Sequence, residues 1–265
     1  MAHYEPVDGV YRKVTKHYEP FDGAYRNVIK AYYPVDGVHR EYFGGGGILA
    51  SELAVGDSVW LNVNGVQTEF LVVHQGNPDS AMYDASCNGT WLLMKDLYEK
   101  RAWGGYRNEY ANSSIHAYMN DTFLNLFDAD VKAQIKTVKI PYVNGTGTGA
   151  VASGSSGLST EIFLLSGYEV GWTKSTSQNF PVDGACLSYF GGTSSTDSKR
   201  IGYYDRTATN WGLRSPCTNS NLAFWGVYRD GGNYDFYYSN ACGVRPAFIL
   251  DSNTLIDPLT HTIVT

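Results

Sequence analysis

The densest set of residues able to make specific contacts lies near the C-terminus. Phe224, Trp225, Tyr228, Tyr234, Phe236, Tyr237 and Tyr238 stand close together, interleaved with Asn, Asp, Ser and Gly. Tyr and Trp supply large, stiff, amphipathic contact area at low entropy cost, while Ser, Gly and Asn supply adaptable hydrogen bonding. That is the chemistry of recognition. Period-2 alternation puts Trp225 and Val227 on one face of a strand, and Phe224, Gly226 and Tyr228 on the other. Both faces carry bulk, so one is expected to be exposed, and an exposed aromatic patch marks a binding site. With Trp225 and Val227 taken as the inward pair, the expected ligand surface is Leu222, Phe224, Gly226, Tyr228, Arg229, Asn233, Asp235, Tyr238 and Asn240. The phase of the return strand stays open, because Tyr234, Phe236 and Tyr238 form an equally good outward set.

Catalytic motifs are missing where they would be sought. There is no Gly-x-Ser-x-Gly elbow, no Walker loop and no His-Glu-x-x-His. Gly145-Thr146-Gly147-Thr148-Gly149-Ala150 superficially fits a dinucleotide fingerprint, but the residues that follow (VASGSSG) cannot form the helix it needs. Cys87, Cys186, Cys217 and Cys242 show no Cys-x-x-Cys spacing and no His at a zinc-like offset, so they read as small thiols. His3, His17 and His39 belong to the N-terminal region, and His74, His116 and His261 read as structural or surface residues. The expectation is therefore no catalytic residues, no metal and no cofactor.

Several elements must position the aromatic segment. Residues 58–63 and 68–74 read as strands around an Asn64-Gly65 turn. Residues 91–103 read as a helix. Ile115, Tyr118, Met119, Thr122, Phe123 and Leu126 share a second helical face, with Asn112 or Ser113 as its N-cap. Asp128 is placed to cap a short helix through Ile135, followed by a strand over 136–143 and a Gly/Ser/Thr loop over 144–157. Residues 223–228 alternate, Asp230-Gly231-Gly232 turns, 233–239 returns, and 243–250 is an apolar strand with an edge or bulge at Pro246. Helices early and short strands late give an expected α+β class.

The chain has 265 residues, enough for one large domain with appendages. Residues 1–43 contain three 14-residue repeats framed as Tyr-x-Pro-x-Asp-Gly-x-x-Arg, with turn dipeptides at Asp8-Gly9, Asp22-Gly23 and Asp36-Gly37. Each repeat reads as a small turn between short strands. With six basic and six acidic side chains the repeats are no electrostatic tether, and a docking or stalk arm is expected. Residues 44–47 are all glycine and read as a linker, leaving 48–265 as the globular domain. The net charge of -6 argues against a general nucleic-acid binder. The apolar runs are too short to span a bilayer, so no membrane insertion is expected. No signal pattern opens the chain, so no secretory route is visible.

Two further segments carry a resemblance: Asn210 to Pro216 (NWGLRSP) and Gly243 to Ala247 (GVRPA), flanking the aromatic stretch. This frame resembles the variable region, here about 211–246, of proteins diversified by retroelements. It resembles in particular the DUF6273 family of gut bacteria and their phages. Tyr83-Asp84-Ala85-Ser86-Cys87, Lys139-Ile140-Pro141-Tyr142 and the run FLLSGYEVG from Phe163 extend the likeness, which covers roughly 58–250. The repeats resemble arms of phage tail proteins. The resemblance implies a C-type-lectin-like fold with two or three helices and many short strands. Its constant framework would be Trp211, Leu213, Arg214, Ser215, Pro216, Trp225, Val227, Gly243, Val244, Arg245 and Pro246. Arg214 or Arg245 would pair with buried carbonyls. It further implies a non-enzymatic receptor-binding protein, tail-associated or an adhesin, that recognises a host-surface or other macromolecular ligand. On that reading the protein sits in a virion tail if phage-encoded, or otherwise in the bacterial cytoplasm or at the cell surface. The repeats would meet tail proteins, and the assembly could be a homo-trimer. Two alternatives are an enzyme or relic related to formylglycine-generating enzymes, with Cys217 and Cys242 as candidate thiols, and a purely structural tail component.

Overall fold

Central strands with apolar residues at consecutive positions need a core on each side, and here they have one. In the computed structural model, two five-stranded sheets make the frame. Their ten strands, in chain order, are β1 (Ser58–Val63), β2 (Val66–Gln75), β3 (Thr90–Met94), β4 (Glu99–Ala102), β5 (Ile162–Phe163), β6 (Trp211–Pro216), β7 (Ala223–Val227), β8 (Asn233–Tyr237), β9 (Ala241–Val244) and β10 (Ala247–Leu250). The first sheet runs β5-β10-β3-β2-β1 and the second β8-β7-β6-β9-β4. All neighbours are antiparallel except β6 and β9, which are parallel. The structure describes residues 47–105, 107–173, 179–191, 197–258 and 260–264, with four strands nearer the N-terminus.

Those four strands, Tyr4–Val7, Val10–Lys13, Lys30–Val35 and Val38–Phe43, pair antiparallel in sequence order. Val7 lies opposite Val10 and Val35 opposite Val38, as the turn dipeptides of the first and third repeats lead one to expect. The dipeptides themselves, residues 14–29 (the end of the first repeat and most of the second) and the linker residues 44–46 lie outside the described residues. Ile48–Leu49 pairs with Leu255–Ile256, tying both ends of residues 48–256 together.

The expected α+β, C-type-lectin-like class with two or three helices is corrected by the observed content, which is mostly β: 37% strand against 15% helix. Among the described residues there are two α-helices, α1 (Ser114–Asp121) and the six-residue α2 (Ala129–Gln134). The helix expected over 91–103 is instead β3, a turn and β4. Its run of Trp91, Leu92, Leu93 and Met94 is continuously apolar because β3 is buried on both faces, a pattern that periodicity cannot tell from a buried helix. Ser113 does cap α1, accepting from the His116 N–H at 3.2 Å. Asp128 stands at the α2 N-cap, but its carboxylate accepts from Asn62 instead of capping. The strand expected over 136–143 is broken at Pro141 into Val138–Ile140 and Tyr142–Val143, which pair with different partners.

Two hydrophobic cores result, and alternate residues of each central strand feed one or the other. Phe70, Val72, Leu92, Phe224, Phe236 and Phe248 enter the first core, against α1 and α2. Leu71, Leu93, Trp211, Trp225, Val227 and Ile249 enter the second, against the irregular residues 164–173 and 179–191, among them Trp172 and Phe180. The chain passes between the two sheets four times, and the passages from β3 to β4 and from β9 to β10 are short. Arg245 sits at the passage from β9 to β10, in the Gly-Val-Arg-Pro-Ala motif. Its Nε donates to the Met94 carbonyl (2.9 Å) and its Nη2 to that of Lys95 (2.9 Å), supplying donors where the ladders change partner. Burial lowers its pKa to about 10, so it stays charged at neutral pH.

The irregular segment is held by a buried ionic cluster. Arg214 on β6 makes a bidentate pair with Glu169 (2.5 and 2.6 Å) and donates to the carbonyls of Pro141, Leu164 and Asp183. Glu169 also accepts from the Tyr83 hydroxyl (2.7 Å) and the Ser166 N–H (2.9 Å). Burial and the Glu169 charge push the Tyr83 pKa well up, keeping the phenol neutral. Burial alone would lower the pKa of Arg214, but Glu169 raises it further, and the net shift is upward. Asp183, fully buried, accepts from Ser215 Oγ, whose oxygen accepts in turn from the Gly167 N–H. Burial raises the Asp183 pKa from 3.8 to about 7, against the lowering pull of Arg214 and Ser215. Arg214 and Glu169 already balance, so a second carboxylate charge would be uncompensated.

A folded-state pKa above the unfolded value means that the folded chain holds the extra proton. The stability Asp183 contributes is thus fully present below about pH 4 and lost as pH rises toward about 7. Asp183→Asn should remove that slope and make the variant relatively more stable at pH 8 than at pH 5. Urea midpoints of the two proteins at both pH values measure the difference.

Candidate ligand-binding surface

Strand β7 is pinned from both sides before any ligand is considered. Phe224 stacks on Trp103 with ring centroids 4.4 Å apart and planes 5° from parallel. On the opposite face Trp225 stacks on Phe180 at 4.2 Å, and its indole N–H donates to the Asn179 carbonyl (3.0 Å). A Cβ on Gly226 would lie 2.5 Å from the Phe236 ring and 2.6 Å from the Trp211 carbonyl oxygen, so only glycine lets β8 and β6 close over this point. The expected alternation is present, with Trp225 and Val227 in one core and Phe224 in the other. The expected exposure of Phe224 and Gly226 is corrected: both are buried, because the face taken as outward meets a second core.

Exposure moves to β8 and its flanking turns. Phe236 turns inward against Phe224, while Tyr234 is 49% exposed and Tyr237 59%. Of the expected surface, Leu222, Arg229, Asp235 and Asn240 are exposed, and Tyr228, Asn233 and Tyr238 are half-buried. The open phase of the return strand is resolved as neither simple set: Asp235 and Tyr237 project from one face, and Tyr234 from the other beyond the anchor at Phe236. An aromatic column leads outward from the core, from Phe224 to Phe236 (5.9 Å), Tyr234 (5.0 Å) and Tyr228 (5.4 Å). The Arg229 guanidinium caps it, 5.2 Å from the Tyr228 ring. The turn from β7 to β8 is shaped by Asp230, whose carboxylate accepts from the Gly232 N–H, and by Gly231 at φ 85°. Asn210, in the NWGLRSP motif, accepts from the Arg229 N–H through its side chain (2.9 Å).

Asn108 was missed by the sequence reading, although it organises the near side. This fully buried amide donates to the carbonyls of Ser220 (2.9 Å) and Ala223 (2.5 Å), and its oxygen accepts from the Gly147 N–H (3.3 Å). It thereby sets the turn before β7 and gives the glycine-rich loop a packing role, with Gly147 lying against the Cys217 carbonyl. A lone Asn on an irregular loop has no local signal, since its partners are 39 and more residues away.

None of the four cysteines forms a disulfide. Cys217 and Cys242 pack into different cores, and burial pushes both thiols up, Cys242 to about 12. Such thiols hold little thiolate at neutral pH. Among the described residues no three His, Cys, Asp or Glu side chains gather as a metal-ligand set.

A fixed two-sided core carrying an exposed aromatic edge strand defines a scaffold with a separable surface. The chain belongs to the family described as "Domain of unknown function (DUF6273)", which matches residues 88–252, more than half its length. No curated protein and no solved structure matches the chain. The family match spans the motifs that flank β7 and β8, so the frame inferred from NWGLRSP and GVRPA lies within it.

Scaffold and surface should separate energetically. Trp225→Ala is expected to cost about 3–5 kcal/mol through the lost stack and the cavity left behind. Gly226→Ala should cost about 1–3 kcal/mol by overpacking. Tyr237→Ala should stay within about 0.5 kcal/mol. Denaturant titration of the three variants checks the order.

Proposed function

We propose that the protein is a non-enzymatic binding protein whose macromolecular ligand is taken by β8 and its flanking turns. The observation that carries this is the contrast along one five-residue strand. Phe236 is anchored in the core, while Tyr234 and Tyr237 present their rings to solvent beside Asp235. Ordered tyrosines on a rigid strand lose little entropy on binding, and Arg229, Asn233 and Asn240 add polar contacts around them. Strand β8 is also the edge of its sheet, and Asp235 on it disfavours indiscriminate strand pairing.

The finer reading keeps the same surface and adds its history. A retroelement-diversified surface needs positions that can change without unfolding the domain, and the exposed residues of β8 fit that need. The ligand would then be a host-surface molecule, and the protein a phage tail-associated component or a cell-surface adhesin docked through its repeats.

A library randomising Leu222, Arg229, Asn233, Tyr234, Asp235 and Tyr237 tests the proposal. Most clones should express folded, with melting temperatures close to that of the parent, and selection on unrelated immobilised proteins should return specific binders. General unfolding of the library would mean that the strand is structural. Folded clones without binders would favour a purely structural component. A neighbouring reverse-transcriptase gene with an adenine-rich near-copy of the DNA for residues 211–246 would support the diversification reading independently.

A further inference from the structure

On the first sheet a different surface is built. Strand β1 sends Val59, Leu61 and Val63 into the first core, but the second core does not extend over its other face, which presents Ser58, Trp60 and Asn62. Across the ladder on β2, Glu69 lies opposite Trp60 and Gln67 opposite Asn62. Five of the six tryptophans are buried, and Trp60 alone is partly exposed, among polar neighbours. Two hollows meet at Trp60 and Gln67, of about 290 Å³ on the side of α2 and about 250 Å³ on the side of Lys95. Together they make a groove across the sheet edge with an aromatic side chain at its middle.

The hydrogen-bonding capacity of this groove is partly spent and partly free. Glu69 is tied by Ser58 (2.5 Å) and by Lys95 (2.8 Å), and the Asn62 amide nitrogen donates to Asp128 (3.0 Å). Asn62 keeps its carbonyl oxygen as an acceptor. The Trp60 indole N–H and the Gln67 carboxamide have no hydrogen-bond partner among the described residues. Donors and acceptors therefore stand on both sides of an aromatic ring. Acid dominates, since Asp128 and Asp130 line one hollow, Glu69 and Asp96 the other, and the one lysine is already paired.

We propose that this groove binds an uncharged saccharide, with one sugar ring packed on Trp60 and its hydroxyls bonded to Gln67, Asn62 and Asp128. A pyranose offers C–H groups to an aromatic face and hydroxyls that both donate and accept around its rim, which matches the free groups here. The surplus of carboxylates disfavours acidic polysaccharides, nucleic acids and other phosphate-bearing ligands. Of the apolar side chains that line the hollows, Leu61, Val131 and Met94 are buried, so beside Trp60 only Ile263 is left to anchor a peptide side chain. The site is independent of β8, being on the other sheet and built from unrelated residues.

The test uses the full chain and ligand-observed saturation-transfer NMR. Maltoheptaose, chitotetraose and mannohexaose serve as uncharged probes, and polygalacturonate as the acidic control. At least one uncharged probe should show transfer and should shield Trp60, the partly exposed tryptophan, from acrylamide quenching. Trp60→Ala should weaken that binding about tenfold or more, Gln67→Ala should weaken it measurably, and Trp60→Phe should keep part of it. Tyr237→Ala should leave it unchanged. Near-UV circular dichroism confirms that Trp60→Ala remains folded, and Gln67→Ala, at an exposed position, provides a second variant. No transfer from any uncharged probe, undiminished binding by both Trp60→Ala and Gln67→Ala, or preference for polygalacturonate would overturn the proposal.

Discussion

Withdrawing a guanidinium from water costs several kcal/mol, and Arg214 sits at 1% exposure near the middle of the domain. What makes its burial tolerable is that its charge and its donors meet partners: a bidentate carboxylate in Glu169 and three backbone carbonyls from separate segments. Those segments have little regular structure, so they cannot satisfy their own carbonyls through ladders. The ion pair does it for them and fixes where they lie against β6. The second core then forms between β6, β7 and that segment, and without it Trp225 and Phe180 would have nothing to stack against. Such an arrangement specifies one packing because each alternative leaves a buried charge or carbonyl unpaired.

Arg245 solves a related problem at the passage between sheets. Where a strand leaves one ladder for another, a few carbonyls lose their partners, and Pro246 cannot donate in their place. Arg245 donates to the opposing strand at that point, and its guanidinium lies 5.0 Å from the Trp211 ring. The two framework motifs thus act as a pair: one arginine holds the irregular segment and the other holds the crossing. Neither arginine hydrogen-bonds to the exposed side chains of β8 and its turns.

Burial of the central strands on both faces limits what the aromatic segment can expose. A single-core sheet would have offered a broad outward face. Here the aromatic segment keeps only an edge strand and its turns, so the exposed chemistry is concentrated on β8. The first sheet shows the complementary case at β1, where the second core ends and one face of a strand carries polar residues around Trp60.

Much was legible in the sequence because it depends on neighbours in the chain. The Asn64-Gly65 hairpin, the Ser113 cap, the strands of the first and third repeats and the turn at Gly231 follow from local backbone preferences. The two arginines and the family motifs are legible as short patterns. Alternation along β7 was also readable, and its two sets do lie on opposite sides. Sequence periodicity alone could not say that both sides are covered, because a strand between two cores and a strand facing solvent differ only in what packs against them. For the same reason Trp91 to Met94 resembled a helix, Phe224 and Gly226 resembled surface, and Tyr237 was passed over. Asn108, whose partners come from distant loops, had no local pattern at all. Tertiary structure decided these points, since burial belongs to the assembled layers and not to any one segment.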